Sequence, residues 1–173
     1  PVPDTRAVEG ICSGQMISGG LMRVAYWTTT NDRVLQTGVV DTQDGEFTWK
    51  SGESTFTDFP IKSCAYTSDT LVASPRAVSA ASLNRGGYDA LLSIEEGSSL
   101  RVSTDFGLTN TDIIVRDGIT VIAPDQPDAM AAMGSTLSGG YPGGVIVLAG
   151  ETAPGQHQAV FVDPSALTLA ETN

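Results

Sequence analysis

The sequence predicts a mainly β protein, an antiparallel sandwich or flattened barrel with one or two short helices; an α+β fold is the alternative. β-Branched and aromatic residues recur in short alternating runs, and Gly, Asn and Asp residues separate these runs. The chain is rich in Gly, Ser and Thr, and it shows neither a fixed-period repeat nor a shift in composition. We therefore expect a single β-rich domain over residues 1–173.

The first part of the chain, residues 8–66, is predicted to consist of strands. Residues 21–30 and 33–40 are rich in β-forming residues, and the turn signal Asn31-Asp32 separates them. This pattern is typical of antiparallel strands joined by short turns.

A tight hairpin is predicted at Asp44-Gly45, because this dipeptide is followed by a cleanly alternating strand at 46–50. Residues 54–59 alternate again, and Pro60 confines that segment to a sheet edge or a strand end.

The middle of the chain carries a helix start signal at Ser74-Pro75, a capping residue followed by proline. It predicts a helix over 76–83, although the alternation of Val78 and Ala80 keeps a strand open there.

Two hairpins are predicted next. Residues 88–94 should pair with 99–106. Asp117-Gly118 lies between β-branched residues within 112–122, which is the composition of a type I′ hairpin.

The last third begins with a predicted short helix at 125–134, which has an acidic cap, an early proline, an alanine-rich body and a terminal glycine. A glycine-rich loop at 138–144 follows. The continuous apolar run 145–149 predicts a central strand buried on both faces, and 158–162 predicts another strand that an Asp-Pro pair ends.

The charge balance excludes some partners. Twenty acidic residues outnumber nine basic ones, for a formal net charge of -11. Nucleic acids and anionic membrane surfaces attract clustered Lys and Arg, so we expect neither partner. No apolar run is long enough to cross a bilayer, and we expect no membrane insertion.

Cys12 and Cys64 are the two cysteines of the chain. In an oxidising compartment they would close a long loop, and in a reducing one they would stay two separate buried thiols. The sequence leaves both alternatives open. Two cysteines and one histidine do not make a four-ligand zinc site.

His157 is the sole histidine, and any Ser-His-Asp or Cys-His arrangement must use it. It is predicted to lie in an exposed loop. No G-x-S-x-G motif is present, so no catalytic residue is assigned, and a hydrolase using His157 is the third functional hypothesis.

Oxygen-rich turns provide weak calcium candidates. Asp41, Asp44 and Glu46 cluster around the predicted hairpin, but their spacing is not that of an EF-hand loop, and turn chemistry explains the Asp-Gly pair. A second, weaker set comprises Asp105, Asn110 and Asp112.

No phosphate-binding loop is recognised among the glycine pairs, and neither a metal nor a cofactor is assigned.

Aromatic side chains with a polar group can stack on sugar rings when they lie on a β surface. Trp27 is one candidate, although its position inside an alternating strand also fits core packing. Tyr141, in the glycine-rich loop, is the aromatic residue expected to be most exposed. These two residues support a secreted β-sandwich module that binds carbohydrate or a surface receptor.

The leading hypothesis is a non-enzymatic assembly subunit, either a virion accessory protein of the decoration or fibre type or a subunit of an extracellular filament. Few catalytic residue types are present, and Pro1 is typical of methionine removal rather than signal-peptide cleavage. We expect a virion or extracellular location. The terminal arms, residues 1–7 and 166–173, would bind copies of the protein or other subunits by adding a strand to an exposed edge.

Overall fold

The structure is a computed structural model that describes residues 7–42, 48–68, 70–85, 88–96, 100–104, 109–118, 120–137 and 140–166. Its strands are β1 (Val8–Ile17), β2 (Leu21–Thr28), β3 (Asn31–Asp41), β4 (Thr48–Phe56), β5 (Ser63–Tyr66), β6 (Leu71–Ser74), β7 (Ala77–Arg85), β8 (Tyr88–Glu95), β9 (Leu100–Thr104), β10 (Thr109–Ile113), β11 (Gln126–Met133), β12 (Val145–Ala153) and β13 (Gln156–Val162). Within these ranges the helical structure is limited to one 3-10 turn at Pro164–Ala166. The mainly β class is confirmed, whereas the short helices and the α+β alternative are wrong.

The chain divides into two compact units, unit 1 (Pro1–Pro75) and unit 2 (Arg76–Asn173). Each unit is described by itself. The single domain over residues 1–173 stays a prediction. Apart from Ala7 and Ala166, the predicted terminal arms lie outside the described residues.

Unit 1 contains an antiparallel sheet in the order β1-β2-β3-β4 and a separate hairpin of β5 and β6. Gly19 and Gly20 form the turn between β1 and β2 at φ values of 83° and 72°, a left-handed conformation that glycine adopts without strain. Thr28 pairs with Asn31, so the next turn lies just before the predicted one. The strands predicted over 21–30 and 33–40 are confirmed as β2 and β3, with shifted ends.

The core of unit 1 is built around an indole ring and a disulfide. Its buried members are Ala25, Trp27, Leu35, Ile61, Cys64 and Tyr66. The Trp27 ring lies directly against Gly10, where a Cβ atom would collide with it. Cys12 and Cys64 are joined by a disulfide with their Cα atoms 5.7 Å apart. The sequence leaves open a disulfide or two free thiols, and the structure contains the disulfide. This bond links β1 to β5.

β4 is an edge strand, and it differs from the prediction in being continuous. The segments 46–50 and 54–59 were expected as separate runs, but β4 pairs with β3 along its length through one irregularity opposite 36–38. The predicted hairpin residues Asp44 and Gly45 lie outside the described residues. Most β4 side chains are exposed, and Phe56 is 79% exposed.

Unit 2 contains two antiparallel sheets, in the orders β10-β9-β8-β7 and β11-β12-β13. The helix predicted over 76–83 is wrong because this segment forms β7, which pairs with β8 from Ala77 to Arg85. Leu83 is fully buried on β7. The cap signal is local, and cross-strand pairing and burial outweigh it.

The helix predicted over 125–134 is also wrong, since this segment forms β11. It pairs with β12 from Gln126 to Met133. Met130 and Ala132 pack against the core of unit 2, two residues apart as the strand period requires. The alanine-rich composition favours a helix only weakly, and tertiary packing decides the conformation.

One of the two predicted hairpins of unit 2 is confirmed. β8 pairs with β9 in antiparallel register, as expected for 88–94 and 99–106. The type I′ hairpin at Asp117-Gly118 is wrong, because β10 ends at Ile113 and no strand follows among the described residues before β11. Instead the Asp117 carboxylate accepts the backbone N–H of Ala123, and the Gly118 N–H donates to the Val121 carbonyl.

β12 and β13 confirm the remaining strand predictions. β12 lies between β11 and β13, and it carries the fully buried side chains Ile146 and Leu148. β13 extends to Val162, and the chain then enters the 3-10 turn at Pro164–Ala166.

The two sheets of unit 2 share one core and meet at β7 and β11. The Met130 N–H donates to the Ser79 hydroxyl at 3.0 Å. Gly134 lies so close to the Asn84 carbonyl that a Cβ atom would overlap it. Side chains of both sheets, including Leu92 and Leu148, belong to the same buried cluster. Unit 2 is therefore a flattened barrel whose sheets adjoin along one side.

Candidate functional site

The strands at the two ends of this arrangement are β10 and β13. Within the described ranges, β10 is hydrogen-bonded as a strand to β9 alone and β13 to β12 alone. The sheets adjoin at β7 and β11, but no ladder joins β10 to β13. The barrel of unit 2 is thus open along this side, and one edge of β13 has no strand partner among the described residues.

A groove of about 490 Å³ lies at this opening and is called the seam groove here. One wall is formed by Ile113, Ile114, Val115 and Arg116 with Gly118, Val121 and Ala123, and the other by Val160, Phe161, Val162 and Asp163. The second wall is the end of β13. The end of β13 therefore borders this open space.

Both walls alternate between inward and outward apolar side chains. Ile113 and Val115 pack against the core, whereas Ile114 between them is 76% exposed. Val160 and Val162 likewise contact the core, whereas Phe161 is 64% exposed. This period of two is the pattern of extended backbone with an apolar residue on each face.

The groove leads towards the core. Val160, on its wall, is 5% exposed. A neighbouring recess of about 190 Å³ is lined by Leu100 and Leu148, which are each 1% exposed, and shares Ile113, Ile114 and Val115 with the seam groove. An apolar side chain entering here would meet core residues rather than a polar surface.

Two charged residues lie in the lining. Arg116 forms no ion pair with any residue that the structure describes. Hydrogen bonds from Ser165, whose backbone N–H lies 2.8 Å from the carboxylate, hold the pKa of Asp163 below its ordinary value. Asp163 therefore stays ionised at neutral pH. The seam groove is mainly apolar, with one cation and one anion along it.

Hydrogen bonding at Asp117 shapes the first wall. Its carboxylate accepts the Ala123 N–H at 2.8 Å, after β10 has ended at Ile113. Ile114 and Val121, the latter 42% exposed, lie on the surface without strand pairing. The opening beside β13 thus lies where the predicted hairpin is absent.

The calcium candidates lie only partly within the described residues, and both sets stay predictions. The Asp41 carboxylate pairs with Lys50 at 2.9 Å, and Asp44 and Glu46 lie outside the described residues. In the second set, Asp105 also lies outside them, nothing is assigned to the Asn110 side chain, and Asp112 binds Arg101 at 3.0 Å. No group of three potential metal ligands occurs in the described part of the chain.

The two stacking candidates have different outcomes. Trp27 is 5% exposed and packs in the core of unit 1, so it offers no stacking surface, and that prediction is wrong. Burying a large aromatic ring next to glycine outweighs exposing it. Tyr141 is half-buried, and its ring centre lies 6.5 Å from that of Phe161.

His157 lies on β13 rather than in the predicted loop, opposite Glu151 of β12. It is exposed, and it borders a depression of about 360 Å³ that is also lined by Glu96, Asp125 and Asp128. The lining residues include neither serine nor cysteine, and both cysteines are in the disulfide. Thr152 is the one hydroxyl-bearing residue of this lining, and the hydrolase hypothesis stays a prediction.

Comparison with known proteins adds no assignment. No family model matches the chain, and neither a curated protein nor a solved structure is significantly similar to it. None of the helical structure in the described ranges is both long and apolar enough to span a bilayer. Any function must therefore be inferred from the geometry itself.

Local sequence patterns do not single out the residues of the seam groove. Ile114 and Val121 were placed inside a hairpin, where exposure was not expected. Phe161 was assigned to a strand, and its position between Val160 and Val162 indicates an outward-facing residue. This outward-facing phenylalanine is the sequence signal that could have indicated an exposed apolar site on β13.

Proposed function

We propose that this protein is a non-enzymatic assembly subunit, of the virion accessory kind (decoration or fibre) or of an extracellular filament, and that a neighbouring subunit docks in the seam groove. The observation that carries the proposal is the edge of β13, which lacks a strand partner among the described residues and is flanked by the exposed apolar residues Ile114 and Phe161. Such an edge is a template for pairing with another chain.

Burial of these side chains would supply the driving force. Covering a large apolar side chain contributes about 1.5–3 kcal/mol relative to leaving it in water. The groove offers Ile114, Val121 and Phe161 at its rim and Val160 at its base. Backbone hydrogen bonds along β13 would add the directionality that a purely apolar patch lacks.

The disulfide supports an extracellular or virion location. Disulfides persist in oxidising environments and on virion surfaces, and they are rare in the reducing cytosol. The link between Cys12 and Cys64 lies in the core of unit 1, where Cys64 is 4% exposed.

Changing the groove rim should weaken self-association. We expect Phe161→Asp and Ile114→Asp each to convert multimers of the protein to smaller species, because each places a charge where an apolar contact is proposed. Both side chains are mostly exposed, so the fold should survive the change. Light scattering after size-exclusion chromatography, over a range of protein concentrations, measures the mass directly.

Phe56→Asp is the matched control, since Phe56 is 79% exposed but lies on β4 of unit 1. It should leave the mass unchanged. A wild-type protein that remains a monomer at every concentration, or loss of assembly with Phe56→Asp alone, would count against docking in the seam groove.

A carbohydrate- or receptor-binding module is the second candidate, and the Tyr141–Phe161 pair favours it. A half-buried tyrosine beside an exposed phenylalanine offers a ring face and a hydroxyl, which suits a sugar. A glycan array should then show binding that Tyr141→Ala removes and Phe56→Ala retains. Absence of binding by the wild-type protein to any glycan would dispose of the sugar-binding form of this candidate.

A further inference from the structure

We propose that the seam groove is filled by residues 167–173 of a second copy of this chain, added as a strand along β13. The proposal rests on the assembly function above and deepens it by naming the occupant. It makes each copy both a donor, through its C-terminal segment, and an acceptor, through its groove.

The groove has the form of a missing strand position. β13 pairs on one side with β12, through Val160 to Leu148, Phe161 to Val147 and Val162 to Ile146. The seam groove lies beside its end, and the facing segment from Ile114 onwards is not part of a described strand. A strand inserted here would be flanked by apolar side chains on both faces.

The sequence of residues 167–173, Leu-Thr-Leu-Ala-Glu-Thr-Asn, suits that position. Leu167 and Leu169 would point to the core on one face, while Thr168 and Ala170 point outwards. Seven extended residues span about 23 Å at roughly 3.3 Å each. β13 is itself seven residues long, so a donor strand of this length can pair along all of it.

Other features of the chain favour this segment over the N-terminal one. Pro1 and Pro3 lack the backbone N–H that a paired strand donates, whereas residues 167–173 contain no proline. Glu171 also provides an anion for Arg116, which has no ion-pair partner among the described residues of its own chain.

The course of the chain after β13 favours a second copy over the same one. Pro164 is fully buried, and its carbonyl accepts a hydrogen bond from the Arg85 guanidinium at 3.4 Å. Arg85 ends β7, the strand at the opposite end of its sheet from β10. The chain after β13 is thus held at Pro164 by the last residue of β7. Because donor and acceptor surfaces differ, the contact is head-to-tail and generates rings or filaments.

The test uses two full-length variants that are each defective in one role. Leu167→Asp with Leu169→Asp disables the donor segment, and Phe161→Asp disables the groove. Each variant alone should self-associate at least about 100-fold more weakly than the wild type, because two buried leucines or the groove contact are lost. Mixing the two should restore a 1:1 complex, in which the intact segment of one fills the intact groove of the other.

Phe56→Asp is the control: it adds a charge at an apolar side chain that is 79% exposed but lies on β4, outside the groove, and we expect a loss of less than about tenfold. Far-UV circular dichroism verifies that every variant remains folded.

The alternative outcomes are distinguishable. Wild-type multimers that persist in the Leu167→Asp, Leu169→Asp variant would overturn the assigned occupant and leave the assembly function intact. A monomeric wild type would overturn both, and a segment that fills its own groove would produce that result. Two variants that stay monomeric when mixed would refute the exchange between copies.

Discussion

Removing the disulfide, by Cys12→Ala with Cys64→Ala, is expected to lower the free energy of unfolding of unit 1 by about 4 kcal/mol. The two cysteines are 52 residues apart, and a cross-link of that span removes a large conformational entropy from the unfolded chain. Alanine is used instead of serine because a serine hydroxyl would be buried at position 64, where the side chain is 4% exposed. The stability of most domains is 5–15 kcal/mol, so the loss is a large fraction of the total.

Tryptophan fluorescence during urea unfolding measures this change in unit 1 specifically. Both tryptophans of the chain, Trp27 and Trp49, belong to that unit. Wild-type protein treated with a thiol reductant is the control and should show the same shift as the double variant. The assigned role of the cross-link would be contradicted if the free energies of unfolding of the double variant and of the reduced protein both lay within about 1 kcal/mol of that of the oxidised protein.

Gly134→Ala is expected to destabilise unit 2 by about 3 kcal/mol, the upper part of the range for forcing atoms into a well-packed region. A Cβ atom at Gly134 would overlap the backbone carbonyl of Asn84 on β7. Backbone atoms of a paired strand cannot move aside as the tip of a side chain can. The change would therefore push β11 away from β7, where the two sheets of unit 2 adjoin.

Thermal unfolding followed by far-UV circular dichroism measures the loss. Gly118→Ala is the control, because the atom nearest to its added Cβ would be the Val121 carbonyl oxygen at 3.6 Å, an ordinary contact. It should change the stability by less than about 0.5 kcal/mol. Equal stability of Gly134→Ala and the wild type would mean that β7 and β11 are not in close contact in solution.

Alternation and turn residues were enough to predict many strands from the sequence. The apolar run at 145–149 and the pairing of β8 with β9 are examples. β7 and β11 were mistaken for helices because local signals, Ser74-Pro75 in one case and a run of alanines in the other, carry a helix preference of only a few tenths of a kcal/mol per residue. Pairing with β8 and β12 depends on residues distant in sequence, which local patterns do not contain.

The candidate site was harder to predict than the fold. Trp27 and Phe161 both occupy alternating strands, and nothing local distinguishes the buried ring from the exposed one. The difference arises from neighbours: Trp27 lies against Gly10 on the next strand, whereas Phe161 lies on a sheet edge. Beside β13, the Asp117–Ala123 hydrogen bond lies where the hairpin was expected, and the Asp-Gly pair does not announce this difference.

The polar edge strand β4 affects how the protein behaves at high concentration. Side-chain hydrogen bonds join it to β3: the Ser54 hydroxyl donates to the Gln36 side chain at 2.9 Å, and the Thr37 hydroxyl of β3 donates to the Glu53 backbone carbonyl at 2.5 Å. Dry, self-propagating stacks of strands require interlocking faces free of charge. A hydrated border that carries Lys50 and Glu53 resists such stacking. High local concentrations of this molecule should therefore favour selective contacts over amyloid-like aggregation.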